Sequence, residues 1–301
     1  MSAIRAPRLA LGTVQLGLPY GITNRTGQPD LDSAAEIVAE SWRNGVRYFD
    51  TAQRYGESER VLGECLRRAG ITRRARVISK LDPKLAGDPR AIRESVLESC
   101  RRLGKRKLWA LLLHTEDLLD EWNGPLGKTL RALRDEGRIG RLGVSIYTAS
   151  RARQALESPD MTVLQIPANV FDRRMLRAGV LARARELGKS IFVRSVYLQG
   201  LLFLDPDSLP ARAAFAEAAL RAYRDFCAER GLDPRLFALA HARARAPRAR
   251  LVIGAKTPAQ ALANAEHFRA ARASTRDLAD WDARWPEDVE PLVNPSLWPP
   301  A

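Results

Sequence analysis

Cysteine, histidine and lysine are all scarce in this chain. Three cysteines in 301 residues (Cys65, Cys100, Cys227) are too few and too irregularly spaced for a disulfide framework or a thiolate metal site, which points to a reducing compartment, the cytoplasm. No apolar run approaches the ~20 residues that a membrane span requires. The opening MSAIRAPRLALGTVQLG reaches a strand-like segment at once and lacks a secretory h-region and cleavage site. The net charge is +14, yet only seven of the 49 basic residues are lysine, and the arginines are scattered beside Glu and Asp through segments such as ALRAYRDFCAERG. That distribution reads as solvated helix faces. Without a basic stripe interleaved with aromatics, nucleic acid is excluded as the main partner, whereas a basic cleft for an anionic cofactor remains compatible with the charge.

What the chain does have is alternation. Short apolar runs, RLALGT, VRYFD, RVISK, LWALLLH, IGRLGVS, TVLQIP, SIFVRS and ARLVIGA, are each followed by an amphipathic segment. In the first of these, DLDSAAEIVAESWRNG, Asp32 or Ser33 is the expected N-cap and Gly45 the C-cap. Eight strand-then-helix units in succession predict a parallel sheet, and this number predicts closure into a (β/α)8 barrel, an α/β TIM barrel occupying residues 1–301 as a single domain. The rival, a doubly wound sheet, needs G-x-G-x-x-G after the first strand, and LGTVQLGLPYG does not have that spacing. Two stretches exceed ordinary connections: a long loop region after strand seven (200–232) and a tryptophan-containing C-terminal tail from about Leu278.

In such barrels the functional groups stand at the C-terminal ends of the strands. Those ends carry Asp50 with Tyr55 just beyond, Lys80, His114 and Ser145, while strand six carries Gln165. Singly, each has an ordinary reading: a turn cap, a packing ring, a solvated amine, a satisfied strand-end imidazole. Together they place an acid, a phenol, an amine and an imidazole on one rim. A phenol is a weak proton donor at neutral pH, and a neighbouring ammonium stabilises the phenolate it leaves. A carboxylate keeps the ammonium charged, and an imidazole can hydrogen-bond the reacting oxygen. This equipment protonates a carbonyl oxygen while hydride reaches carbon. It includes no evident nucleophile and no metal set, and since side chains cannot supply hydride, a nicotinamide cofactor is implied.

Asp50, Tyr55, Lys80 and His114, in FDTAQRYGESE, ISK and LLLH, resemble the tetrad of the aldo-keto reductases, and the resemblance runs from LGTVQLG to NAEHF. It implies an NAD(P)H-dependent carbonyl reductase in which Tyr55 is the general acid, Lys80 and Asp50 tune it, and His114 orients the carbonyl. By the same resemblance Gly12, Thr13 and Val14 lie near the nicotinamide ribose, and Ser145 and Gln165 hold the carboxamide. Ser195, Gln199 and Gly200, in RSVYLQGLL, cover the pyrophosphate. Gly254, Lys256, Thr257, Gln260 and Asn264, in GAKTPAQALAN, grip the adenosine phosphate. NADPH is the expected cofactor, with NADH as the alternative, because Gln260 stands where many relatives carry Arg. Two further departures stand out. Ile146 replaces an Asn that usually follows the serine, and Arg194 replaces the aromatic ring that stacks on the nicotinamide. Arg194 could stack there itself, or turn to a phosphate or an anionic substrate and leave the ring's place to Tyr197.

The implied partner is a small carbonyl compound, with a sugar-like one hinted at by GTVQLGLPYGITNRTGQP, and the implied assembly is a monomer or small homo-oligomer. Tyr20, Trp281, Trp285 and Trp298 are candidates for the substrate pocket, with core packing the competing explanation for the tryptophans. Two other functions remain open from sequence: a regulatory barrel that binds cofactor without turnover, and an isomerase using Lys80 as a Schiff-base amine.

Overall fold

The computed structural model describes residues 8–285 and 289–298. Its eight strands are β1 (Leu9–Gly12), β2 (Tyr48–Asp50), β3 (Arg76–Leu81), β4 (Ala110–Leu113), β5 (Leu142–Ser145), β6 (Met161–Pro167), β7 (Ser190–Arg194) and β8 (Arg250–Gly254). All pair in parallel and in chain order, and β8 returns to β1, so the sheet closes into a barrel. The expected fold class is the observed one. Register aligns the strand ends that matter: Gly12 lies beside both Asp50 and Gly254, and Ser145 lies beside Gln165.

Helices follow the strands: α1 (Leu31–Arg43), α2 (Ser58–Arg68), α3 (Pro89–Arg102), α4 (Pro125–Asp135), α5 (Ala149–Glu157), the short α6 (Arg174–Arg177) and α7 (Val180–Glu186), then α8 (Glu217–Glu229), α9 (Pro234–Arg245), α10 (Pro258–Ala270), α11 (Thr275–Arg284) and α12 (Glu290–Val293). The N-cap of α1 is Asp30, not Asp32 or Ser33: its carboxylate accepts from the Ser33 backbone N–H at 2.7 Å, the reach of an acidic cap to the third helical residue. Asn44 closes that helix, and Gly45 behind it takes the left-handed turn, with φ +93°.

Three packed layers result. Inside the barrel sit Ala10, Tyr48, Ile78, Ala110, Leu112, Val163 and Phe192. Between strands and helices runs the main core, built from positions such as Ile37, Leu62, Val96, Leu130 and Ala152. A separate apolar cluster joins α8, α9 and α11, where Tyr223, Phe226, Phe237 and Trp281 bury against Phe171. It explains the tryptophans. Trp281 is fully buried and donates its indole N–H to the Val170 carbonyl, Trp285 stacks parallel to it, and Trp298 packs on Phe215. They are packing residues; none of the three lines the cleft described below. The long region after β7 is not a bare loop but three 3-10 turns followed by α8. The C-terminal tail expected from about Leu278 is described only in part, since 286–288 and 299–301 lie outside the described residues.

Candidate active site

A cleft of about 390 Å³ opens at the C-terminal mouth of the barrel. One end is lined by Asp50, Tyr55 and His114, the other by Gly254, Lys256, Gln260 and Asn264, with Gly12, Thr13, Val14, Ser145, Gln165, Arg194, Ser195, Gln199 and Gly200 between. Of the catalytic and cofactor-binding residues expected from sequence, only Lys80 and Thr257 are not part of the lining. Lys80 lies beneath the floor at 1% exposure, and Thr257 caps α10, accepting from the Gln260 N–H at 3.1 Å.

Burial makes Lys80 the centre of the floor. Along β3, Ser79 points outward to the buried Glu59 and Lys80 inward, as strand alternation requires. The Lys80 ammonium donates to both oxygens of Asp50 (2.9 and 2.8 Å), to the Thr51 carbonyl (2.9 Å) and to the Tyr55 hydroxyl (3.4 Å). Burial alone would push this amine down, but Asp50, then Tyr55, outweigh it and hold Lys80 above its ordinary range. It stays an ammonium.

Two glycines set where Tyr55 stands. A Cβ on Gly17 would fall 1.9 Å from the Tyr55 carbonyl oxygen, and one on Gly56, at φ +53°, would fall 2.4 Å from the Gly17 carbonyl. The loop after β1 therefore lies directly on the turn after β2. Ser58 ties the two together, donating to the Thr13 carbonyl at 2.7 Å and sharing hydroxyl contacts with Thr13 and Thr51.

His114 follows β4 and meets the Tyr55 ring edge-on, with centroids 5.7 Å apart. Burial, reinforced by Lys80, lowers its proton affinity to about 3, so the imidazole is neutral at physiological pH. Its Nδ1 is buried and has no partner among the described residues. Tyr20 enters the same end of the cleft, and burial together with Tyr55 pushes its phenol well above the ordinary range, leaving it protonated.

Gln165 does more than the resemblance implies: its amide Nε2 donates to Asp50 Oδ1 at 2.8 Å. Ile146, in the usual Asn position, is fully buried in the core and offers only its carbonyl, which accepts from Arg194 at 3.3 Å. The Arg194 guanidinium lies 3.9 Å over the Tyr147 ring and donates to the Ser195 hydroxyl at 3.3 Å. Tyr147 is a cleft residue that sequence reasoning missed. Its signal was its place two residues past the strand-end Ser145, within the same rim. Tyr197, the expected aromatic substitute, also lines the cleft and packs on Phe203, with centroids 4.8 Å apart. Gln15, likewise missed, sits inside GTVQLG; a Cβ on Gly254 would strike its side chain at 2.5 Å, and its Oε1 is buried without a partner among the described residues.

At the far end the Gln260 amide oxygen folds back to accept the Lys256 backbone N–H at 2.9 Å, and Asn264 donates to the Gly254 carbonyl at 3.0 Å. The Lys256 ammonium touches only the Thr23 carbonyl, at 3.4 Å, and has no carboxylate partner among the described residues. Above the middle of the cleft, Ser195, Leu198 and Gln199 all adopt positive φ, and the Ile22 N–H bonds to the Gln199 carbonyl at 3.1 Å, so the loop after β7 is fastened to the loop after β1. The cleft fits an extended dinucleotide: glycine backbone at both ends, a cation at one, a proton-donor set at the other, and three lining side chains, Gln15, His114 and Tyr197, whose buried polar atoms have no partner among the described residues.

The family model described as the aldo/keto reductase family matches residues 8–286. Among curated relatives, an NADH-specific methylglyoxal reductase of Escherichia coli (strain K12) is 28% identical over 66% of this chain and 66% of its own length. The aldo-keto reductase str7 of Strobilurus tenacellus is 28% identical over 64% of this chain and 58% of its own. The alignments thus span less than two thirds of these relatives. The solved glycerol dehydrogenase AKR11B4 from Gluconobacter oxydans superposes with a TM-score of 0.73 at 22% identity, over 94% of this chain and 92% of that one, a likeness of fold.

Proposed function

The chain belongs to the aldo/keto reductase family, and from that premise we propose that it is an NAD(P)H-dependent oxidoreductase that reduces an aldehyde or ketone to an alcohol, with Tyr55 as the proton donor. The observation that carries this reading is the Lys80 ammonium held between the Asp50 carboxylate and the Tyr55 hydroxyl at the floor of a long cleft. A reduced nicotinamide bound along the cleft supplies the hydride. Tyr55 gives its hydroxyl proton to the carbonyl oxygen, and Lys80 stabilises the phenolate left behind. Asp50 keeps Lys80 charged and in place. His114, being neutral, orients the carbonyl oxygen rather than donating a full proton. Leaving a lone pair unpartnered costs less than leaving an N–H so, which favours the His114 proton on Nε2, free for that oxygen.

For the cofactor, Ser145 and the Gln165 side-chain oxygen would hold the carboxamide, and Ser195, Gln199 and Gly200 would take the pyrophosphate. Lys256, at the start of α10, takes a 2′-phosphate through charge and helix-terminal N–H groups, and NADPH is accordingly our preferred cofactor. The Schiff-base alternative is disfavoured, because an amine held charged by a carboxylate has no lone pair to offer. The test is direct. Purified protein is mixed with NADPH or NADH and a set of short, aromatic and acidic aldehydes, and loss of the reduced cofactor is followed. Turnover abolished by Tyr55→Phe is expected; no consumption of either cofactor with any carbonyl overturns the reading.

A further inference from the structure

The charges around the reacting end of the cleft do not cancel. Lys80 is matched by Asp50, and Arg54 stands 4.0 Å from Asp82. His114 and Tyr20 are neutral. Arg194 has no carboxylate partner among the described residues; its contacts are the Tyr147 ring, the Ile146 carbonyl and the Ser195 hydroxyl. It lines the cleft together with Tyr20, Tyr55 and His114.

Nor is this arginine loose. Tyr147 is itself held, since Glu116 accepts the Tyr147 N–H at 2.7 Å, the Thr148 N–H at 3.0 Å and the Thr148 hydroxyl at 2.9 Å. A guanidinium gives its faces to rings and its edge to oxyanions. With Tyr147 against one face, and only two long hydrogen bonds made, edge donors remain for the cleft.

We propose that Arg194, braced by Tyr147, is a specificity determinant that binds an oxyanion on the substrate, so that the preferred carbonyl compound carries a carboxylate or a phosphate. This rests on the reductase reading above. The substrate's anion pairs with the unmatched Arg194 guanidinium, and its two oxygens match the planar fork of that side chain.

Two pairs of probes test it: 4-carboxybenzaldehyde against its methyl ester, and glyceraldehyde 3-phosphate against glyceraldehyde. In the wild type, kcat/KM is expected to be at least about 10-fold higher for the anionic member of one pair, and that pair names the anion. Arg194→Met should collapse the ratio toward one, mainly through KM, and Arg194→Lys should restore part of it. Tyr147→Leu, which keeps the charge and loses the brace, should lower the ratio less. Binding of 4-carboxybenzyl alcohol in the presence of oxidised cofactor, by calorimetry, gives a readout independent of turnover. Arg194-dependent binding without turnover of any carbonyl would leave the anion site standing and remove the reductase reading. Turnover with equal preference within both pairs would remove the anion site alone. An anion preference that survives Arg194→Met, with NADPH affinity lost instead, would assign Arg194 to the cofactor and overturn the proposal.

Discussion

The Gln165 amide donates to Asp50 Oδ1 at 2.8 Å, which joins a residue of β6 to a carboxylate of β2 across the barrel mouth. The group expected to meet the cofactor's carboxamide is therefore also a ligand of the carboxylate that holds Lys80. Gln165→Leu removes one donor from a buried carboxylate, a loss of roughly 1–3 kcal/mol in stability. It should also lower kcat and weaken cofactor binding together. Urea unfolding and cofactor titration of one variant check both; weakened binding with unchanged kcat would separate Gln165 from the tetrad.

Tyr55→Phe is expected to lower kcat by about 10²-fold or more, with cofactor affinity near the wild-type value, because only the proton is removed. Steady-state kinetics alongside fluorescence titration decide it. Activity within threefold of wild type would assign the proton to another donor.

Lys80→Met leaves Asp50 buried without its cation. A stability loss of roughly 3–5 kcal/mol is expected, together with loss of turnover. Adding Asp50→Asn should recover a large part of the stability and none of the activity. If the double variant is no more stable than Lys80→Met, the burial of an unpaired carboxylate is not the cause.

The neutral state of His114 has a consequence for acid stability. Its proton affinity is lowered from 6.5 to about 3 on folding, so between those values the unfolded chain binds the extra proton, and stability falls as pH falls through this window. Relative to His114→Gln, the wild type should lose about 2 kcal/mol on going from pH 7 to pH 5. Denaturant melts of both proteins at the two pH values measure this, and parallel losses would mean that His114 is not desolvated.

Lys256→Met is expected to weaken NADPH by about 10- to 100-fold, the worth of one charge-assisted contact, and to change NADH little. Equal losses for both cofactors would move Lys256 away from the 2′-phosphate.

Much of this protein was legible in its sequence, for local reasons. Hydrophobic period and chain order dictate eight βα units, and parallel strands in that number close on themselves. Because each strand ends at the same mouth, Asp50, Lys80, His114, Ser145 and Gln165 could be assigned to one rim without coordinates. What the linear chain did not carry was which neighbour each side chain takes. The Gln165–Asp50 bond spans 115 positions, and Arg194 is 48 positions from the Ile146 carbonyl it touches. The resting place of Arg194 on Tyr147, the packing role of Trp281 and Trp285, and the folding of Gln260 onto the Lys256 N–H follow from contacts between separate elements. Those contacts are settled when the barrel closes and its loops compete for the same volume. Periodicity along the chain records which face a residue shows, and only packing decides what that face meets.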